Sequence, residues 1–442
     1  MANTLFGMMN SGSTGLMGAQ IGINITGNNI QNIKTPGYTR QRALFTSNRP
    51  VYYSNTGYLG TGVGVQDIQR LRDKHLDAQI RTETSSYNQY LSKQEILSDI
   101  EAIFGEPNEV GLNVDMDAFW DSLGELAKHP DNSTIHTLVK ENSKVIADKL
   151  NSLSSQLDSI SGEADIRQNH QEEVAADLIS RINELNSVLA KSHQVDPNHT
   201  PNELLDERDL LTKQLSELMS IEVSINENFT VDVEVITSVG GTSKDALTMN
   251  KDDIRAIAGD LVSGSIKGYH DAKTSATDKY KANFNQFAES LATMVNNNQG
   301  YEFFQFDPAN PAGSIVVNPD LINGTIDLNT GPNGSGDNSV ILDLLKLRDE
   351  KVSIGGVNTT LNQFYKDVVA SVGIEVQHAN SSVKNQETVL TYLNNKFESL
   401  SGISEDEEMI NLVQFQSAYD ANAKFIQTVT QMLDTILNDM GV

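Results

Sequence analysis

The stretch LFGMMNSGSTGLMGAQIGINITGNNIQNIKTPGY, residues 5–38, repeats its apolar and small side chains at alternating intervals of four and three. Leu5, Met9, Gly12, Leu16, Ala19, Ile23, Thr26, Ile30 and Ile33 form one stripe, the heptad seam of a helix packed on another helix. Pro36 and Gly37 then stop the helix and turn the chain, and Tyr38 gives the turn an apolar anchor. Far down the chain, Leu412, Phe415, Tyr419, Asn422, Ile426, Val429, Leu433, Ile436 and Met440 repeat the same spacing. Either stripe alone describes an ordinary amphipathic helix docked on its own domain. The first, however, is rich in Gly, Ser and Asn, poor helix formers that need a partner. The two matching seams therefore predict an antiparallel pair.

Charge supports that pairing. No acidic residue occurs before Asp67, while Lys34, Arg40, Arg42 and Arg49 are basic. The last stretch holds Glu405, Asp406, Glu407, Glu408, Asp420, Asp434 and Asp439 against Lys424 alone. The two segments are complementary in sign, and screening limits the effect to about 10 Å at 0.1 M salt, so charge selects the partner and the apolar seam sets the strength.

Composition removes whole classes of function. The 442 residues allow two or three domains, and Lys+Arg 32 against Asp+Glu 59 gives a net charge of −27. With a single Trp and 6% aromatic residues, the chain offers little to a phosphate backbone or to stacked bases. The absence of cysteine removes disulfides, thiolate metal sites and cysteine nucleophiles together. The sequence has no apolar run long enough to span a bilayer, so no membrane insertion is expected. No basic n-region precedes Leu5, and Asn10, Ser11 and Ser13 interrupt any apolar core, so the general secretory route is not expected.

Between the two seams the periodicity is mostly helical. Leu76, Ile80, Tyr87, Tyr90, Leu97, Ile100 and Phe104 form one long stripe; Ile146 to Ile160 and Leu178 to Leu189 form two more. A helix from about Asn202 to Met219 opens after Pro201. Alternation at Ile221, Val223, Ile225 and then Val231, Val233, Val235 predicts a hairpin turning at Asn226-Glu227-Asn228. Helix resumes from Lys251 toward Asn298 and from Leu361 to Leu400, while 301–356 is rich in Gly, Asn and Pro. The expected fold is mainly α, a bundle of long helices with terminal coiled-coil helices and small β-rich insertions. Its expected parts are 1–66 with 401–442 as the terminal domain, 67–220 with 251–300 and 357–400 as the bundle, and 221–250 with 301–356 as a β-rich outer domain.

Catalytic constellations do not emerge. No two histidines stand four apart beside a Glu, so no zincin-type metal site is written. Gly60-Thr61-Gly62-Val63-Gly64 and Asn333-Gly334-Ser335-Gly336-Asp337 lack the Lys-Ser/Thr ending of a phosphate loop and read as turns. Asp327, Asn329 and Gly331 echo a calcium loop whose closing Glu is replaced by Asn338. Glu405 to Glu408 after Ser404 reads as an acidic first turn. No catalytic residue, metal ligand or cofactor is expected.

Gly15-Leu16, Gln20, Asn28-Asn29-Ile30-Gln31-Asn32 and the turn Thr35-Pro36-Gly37-Tyr38 with Thr39-Arg40-Gln41 resemble the amino-terminal signature of the bacterial flagellar rod, hook and hook-associated proteins. Gly60 to Val65 with Ile68 and Arg70, Leu204-Leu205-Asp206-Glu207-Arg208-Asp209-Leu210-Leu211, and Gly336-Asp337-Asn338 are similar to the hook-associated members. Ser401 to Glu407, Leu412, Phe415-Gln416, Ala418-Tyr419, Ala421 to Lys424 and Ile426 complete the resemblance. It covers both ends strongly and the middle in patches, where the outer insertions of relatives are larger.

The resemblance implies a structural protein at the hook–filament junction, exported from the cytoplasm through the flagellar type III channel and located outside the cell. Implied partners are further copies of the chain, the hook protein, a second hook-associated junction protein and an export chaperone on the carboxy-terminal helix. It also implies terminal helices that order only on assembly. Leu5, Met9, Leu16, Ile23, Ile30, Ile33, Leu412, Phe415, Tyr419, Ile426, Val429, Leu433, Ile436 and Met440 are the expected assembly interface, with Thr35 to Tyr38 as its turn. The absence of cysteine suits both unfolded export and assembly by packing alone. A rod or hook protein of the same superfamily is disfavoured by the long helices between Leu76 and Leu218. A hydrolase grafted into the insertions is disfavoured by their shortness and few histidines.

Overall fold

The computed structural model describes residues 2–53, 57–104, 111–197, 200–238, 244–334 and 336–439. In chain order these form α1 (Ala2–Gln31), β1 (Gln41–Ser47), β2 (Val51–Tyr53), β3 (Gly57–Leu59), β4 (Val63–Arg70), α2 (Lys74–Phe104), α3 (Leu112–Lys128), α4 (Ser133–Val195) and α5 (Asn202–Leu218). Next come β5 (Ile221–Ile225), β6 (Val231–Val235), β7 (Lys244–Asp245), α6 (Lys251–Ile257), α7 (Ser265–Asp271), α8 (Asp278–Gln299), β8 (Phe304–Gln305), α9 (Pro311–Ser314), β9 (Val316–Val317) and α10 (Pro319–Ile322). The chain continues with α11 (Ser339–Lys346), β10 (Val352–Ile354), β11 (Val357–Thr359), α12 (Leu361–Ser401) and α13 (Glu405–Asp439). The mainly helical fold with small sheets is the one the periodicity predicts. No described helix is long and apolar enough to cross a membrane.

Two compact units divide the chain. The first comprises Met1–Thr84, Ala175–Asn250 and Thr388–Val442, and the second Ser85–Val174 and Lys251–Glu387. The contacts thus place 221–250 and 301–356 in different units, unlike the outer domain expected from their shared β-like composition. Inward-facing valines give the reason for the first piece: Val231, Val233 and Val235 are buried, and Asn186 of α4 bonds both the carbonyl and the amide of Val231. That hairpin is fastened to a helix of its own unit.

In the first unit β1 pairs antiparallel with β4, from Gln41 opposite Arg70 to Ser47 opposite Val63, with a register shift between Leu44 and Phe45. β2 and β3 extend this arm as a second short ladder. The β5–β6 hairpin has the alternation predicted for it, Ile221 opposite Val235 and Ile225 opposite Val231. β7 adds to its β6 edge.

The second unit is built on one apolar core. Phe119 and Trp120 of α3, Leu150 and Leu157 of α4, Phe284 and Phe287 of α8, and Tyr365 and Val372 of α12 all belong to it. Each such side chain contributes about 1.5–3 kcal/mol when removed from water, which identifies this cluster as the main stabiliser of the unit. The stripes at Ile146–Ile160 and Leu178–Leu189 belong to a single 63-residue helix, α4. They are bridged by buried Ala164, Gln168, Glu172 and Ala175. The seam therefore persists through polar residues: Gln168 donates to Glu172, and Arg255 of α6 pairs with the same carboxylate at 2.9 Å. An uninterrupted apolar stripe was not needed because the buried charge is matched.

Candidate assembly interface

α1 and α13 lie antiparallel. An added Cβ at Gly12 would lie 2.8 Å from Ile426, at Gly15 2.6 Å from Asn422, and at Gly22 2.6 Å from Phe415. Farther along, the Asn29 amide donates to Glu408 at 3.0 Å. Along α13 every described residue of the expected seam is at least half-buried: Leu412, Phe415, Tyr419, Ile426, Leu433 and Ile436 partly, and Val429 almost wholly. Met440 lies outside the described residues.

On α1 the contact keeps Gly12, Ala19 and Thr26 of the expected stripe and replaces its larger members by the small or polar residues just before them. Gly12, Ala19, Gly22, Thr26 and Asn29 are buried, whereas Leu5, Leu16, Ile23 and Ile30 flank them half-buried and Met9 and Ile33 stand exposed. The cause is a second neighbour, since Gly18 approaches Val63 of β4 and Phe45 of β1. Small residues occupy the line of closest approach while the larger apolar ones sit at its edges. Each glycine costs about 1 kcal/mol of helix propensity relative to alanine, so these positions are explained by close packing and not by helix preference. That repeated breach of helix propensity was the sequence signal for Gly15 and Gly22, which hydrophobic periodicity alone misses.

A polar knot closes the end of the pair. The Asn29 side chain donates to the Gln41 carbonyl and to Glu408, and accepts from the Gln41 amide and the Tyr38 hydroxyl, all at 3.0 Å. All four side-chain valences of this buried amide are used. Arg40 grips Glu408 through Nε at 2.9 Å and Nη2 at 2.6 Å, and Glu407 through Nη1 at 2.9 Å. Glu408 is 2% exposed, and its buried carboxylate is paired there by Arg40 and Asn29. The acidic first turn of α13 is thus partly a docking element; Glu407 and Glu408 bind α1's following turn in addition to favouring the helix start.

The turn motif holds that knot in place. Thr35 donates its hydroxyl to Asn32, and the Tyr38 amide bonds the Thr35 carbonyl at 3.2 Å. Gly37 has φ of 82°, and a Cβ there would lie 3.1 Å from Leu210 of α5, so both backbone and space select glycine. Burial, followed by the charges of Asp206, Glu203 and Glu408, pushes the Tyr38 hydroxyl up to about 12. It remains a hydrogen-bond donor to Asn29 throughout the neutral range.

Beneath the turn, the Leu204 to Leu211 stretch supplies a buried charge cluster. Asp206 accepts from the Thr39 amide at 3.1 Å and from Arg70 at 2.8 Å. Asp209 receives Arg70 and Arg72, each at 2.8 Å, and Arg208 at 2.7 Å. Burial raises the Asp209 pKa, but Arg72, Arg208 and Arg70 outweigh it and hold the carboxyl below its usual range. α5 therefore locks β4 and the turn after α1 into one body.

The other sequence features have structural partners. Asp337 accepts from the backbone amides of Asn333 and Ser339, the arrangement of a turn entering α11, while Ser335 lies outside the described residues. Asn329 is bonded to Gln299 through both backbone and side chain. Among the described residues no cluster of three or more His, Asp or Glu is arranged to hold a metal ion.

Residues 97–304 match the family model described as the flagellar hook-associated protein FlgK helical domain, and residues 395–440 match that of the flagellar basal body rod FlgEFG protein C-terminal. The flagellar hook-associated protein 1 of Bacillus subtilis is 28% identical, with 100% of this chain and 99% of that protein covered. The protein of the same name from Escherichia coli is 22% identical, with 98% and 99% covered. The flagellar hook junction protein FlgK from Burkholderia pseudomallei is a structural neighbour with TM-score 0.58 and 11% identity, covering 73% of this chain and 100% of that one. At that identity the neighbour establishes the fold alone.

Proposed function

We propose that this chain, 28% identical over its whole length to the flagellar hook-associated protein 1 of Bacillus subtilis and matching the FlgK helical domain over residues 97–304, is a member of that family, that it joins hook to filament, and that the α1–α13 pair is the element by which it assembles. The observation carrying this reading is the antiparallel pair itself, packed through Gly12, Gly15 and Gly22 and closed by Asn29, Arg40 and Glu408. Its outer faces remain apolar: Phe6 and Met17 on α1 and Ile410, Val413 and Met432 on α13 are each at least 50% exposed. Pairs from successive copies cover one another through these faces and form the inner tube of the junction. Each residue so covered contributes about 1.5–3 kcal/mol, enough in sum to offset ordering the helices only when neighbours are present.

Export through the type III channel places the chain outside the cell, and the segment from about Leu400 carries the export chaperone before secretion. The hook protein and a second hook-associated junction protein are its axial neighbours, and the role is structural, without catalysis. A strain lacking the chain should show hooks without filaments and shed flagellin in the medium. In that strain, Leu433→Asp with Ile436→Asp should leave the second unit folded yet fail to restore filaments. Filaments restored by this variant would refute the role of the seam.

A further inference from the structure

A cavity of about 740 Å³ in the first unit opens on the far side of the Asp209 cluster. β4, the first turns of α2, α5 and the β5–β6 hairpin wall it. Four guanidinium groups line it. Arg70 is matched by Asp206 and Asp209, Arg72 by Asp77 and Asp209, and Arg208 by Asp209 and the Phe229 carbonyl. Those three carboxylates are thereby engaged.

Arg81, the fourth, is half-buried and has no carboxylate within ion-pair distance among the described residues. Burial presses its pKa down against the distant pull of Asp77 and Asp209. Lys74 and Asp67 also line the cavity, so five cations stand against the four carboxylates of Asp67, Asp77, Asp206 and Asp209, and a partly desolvated guanidinium without a partner is costly.

The facing wall is apolar, formed by Leu205, Val223, Ile225 and Phe229. Phe229 has φ of 68°, a strained conformation for a bulky residue and the only non-glycine positive φ among the described residues. Its carbonyl accepts from Arg208 at 2.7 Å, and its ring stands edge-on to His193 with centroids 5.2 Å apart. The hairpin end is therefore fixed over the cavity by two separate contacts.

We infer that this cavity binds a carboxylate carried on an apolar body, with Arg81 as its pairing group. The planar guanidinium offers parallel donors to the two carboxylate oxygens, and the aliphatic atoms beside them lie on the Val223 and Ile225 wall. A tetrahedral oxyanion would match the donors less well and leave that wall uncovered. Two sources share the required chemistry: a free short-chain acid, and an Asp or Glu side chain of a second copy, abundant on a chain of net charge −27. The inference does not depend on the junction role.

Butyrate titrated into the full-length chain at constant ionic strength tests it, with chloride as reference. Butyrate at ten times its Kd should raise the thermal midpoint by about 3 °C over chloride. Arg81→Gln should abolish that increment, and Arg81→Lys should keep part of it. A shift equal to that of chloride, or one retained in Arg81→Gln, would overturn the inference. Cross-linking between copies identifies the source once the butyrate shift is seen. Suppression by both Arg81→Gln and butyrate assigns the carboxylate to a neighbouring copy, and cross-linking unchanged by either assigns it to a free acid.

Discussion

Gly22→Ala and Gly27→Ala make the same chemical change on the same helix and should have opposite consequences. Each gains about 1 kcal/mol of helix propensity. At Gly27 nothing lies within 4 Å of the new Cβ, so the gain is retained. At Gly22 the Cβ would sit 2.6 Å from both Cδ1 and Cε1 of Phe415 and 2.7 Å from Cγ. Carbon atoms rest at about 3.5 Å or more, so the ring must retreat by about 1 Å. Phe415 is backed by Phe45 of β1, with ring centroids 5.9 Å apart, which resists that movement. Overpacking of this kind costs about 1–3 kcal/mol, so Gly22→Ala ends between neutral and about 2 kcal/mol destabilising. The gap between the variants is then about 1–3 kcal/mol, roughly 5- to 150-fold in a pairing equilibrium. Each variant is expressed in the deletion strain, the cells are sheared, and hooks still bearing filaments are counted by electron microscopy. Gly27→Ala should match the parent, Gly22→Ala should shed filaments, and adding Phe415→Leu to Gly22→Ala should restore part of the loss. Equal filament retention in Gly22→Ala and Gly27→Ala would refute the close-approach explanation.

Asp209→Asn should lower the thermal midpoint by roughly 10 °C, because it leaves three buried guanidinium groups short of a carboxylate; calorimetry showing a change under about 1 °C would count against it. The same carboxyl makes a pH prediction. With its folded pKa below the ordinary 3.8, its stabilisation is present above that pH and is lost as pH falls through the lower folded value, so the parent should approach Asp209→Asn in stability on acidification. Deleting the residues after Leu400 should abolish capture of the export chaperone from cytoplasmic extract, and a truncated chain that still captured it would place that site elsewhere.

The sequence made large apolar contacts legible and small or polar ones obscure. The burial along α13 was legible because Leu412, Phe415, Val429 and Leu433 are large apolar side chains at a regular helical spacing. On α1 the pattern reaches Gly12, Ala19 and Thr26 but falls one residue past Gly15, Gly22 and Asn29, which register in no hydrophobic pattern. The continuity of α4 was hidden for a related reason: Gln168 and Glu172 occupy core positions only because Arg255 neutralises them. The β1–β4 arm was missed because its strands are half-exposed and bend at a register shift between Leu44 and Phe45. α3 was not singled out, although its buried Leu112, Met116, Phe119, Trp120, Leu123 and Leu126 follow helical spacing plainly. The complementary charge of the two ends pointed correctly to their pairing. That Arg40 and Glu408 concentrate it at one buried point required the fold.

A chain without cysteine permits the most direct test of the terminal pair as the assembly element. Gly15→Cys with Asn422→Cys removes the one side chain in the way and brings two thiols to disulfide distance. In intact flagella this variant should oxidise to a link within a single chain, while Gly15→Cys with Phe415→Cys, two turns out of register, should not. Oxidation of the out-of-register variant in preference to the other, or links only between chains, would contradict the account.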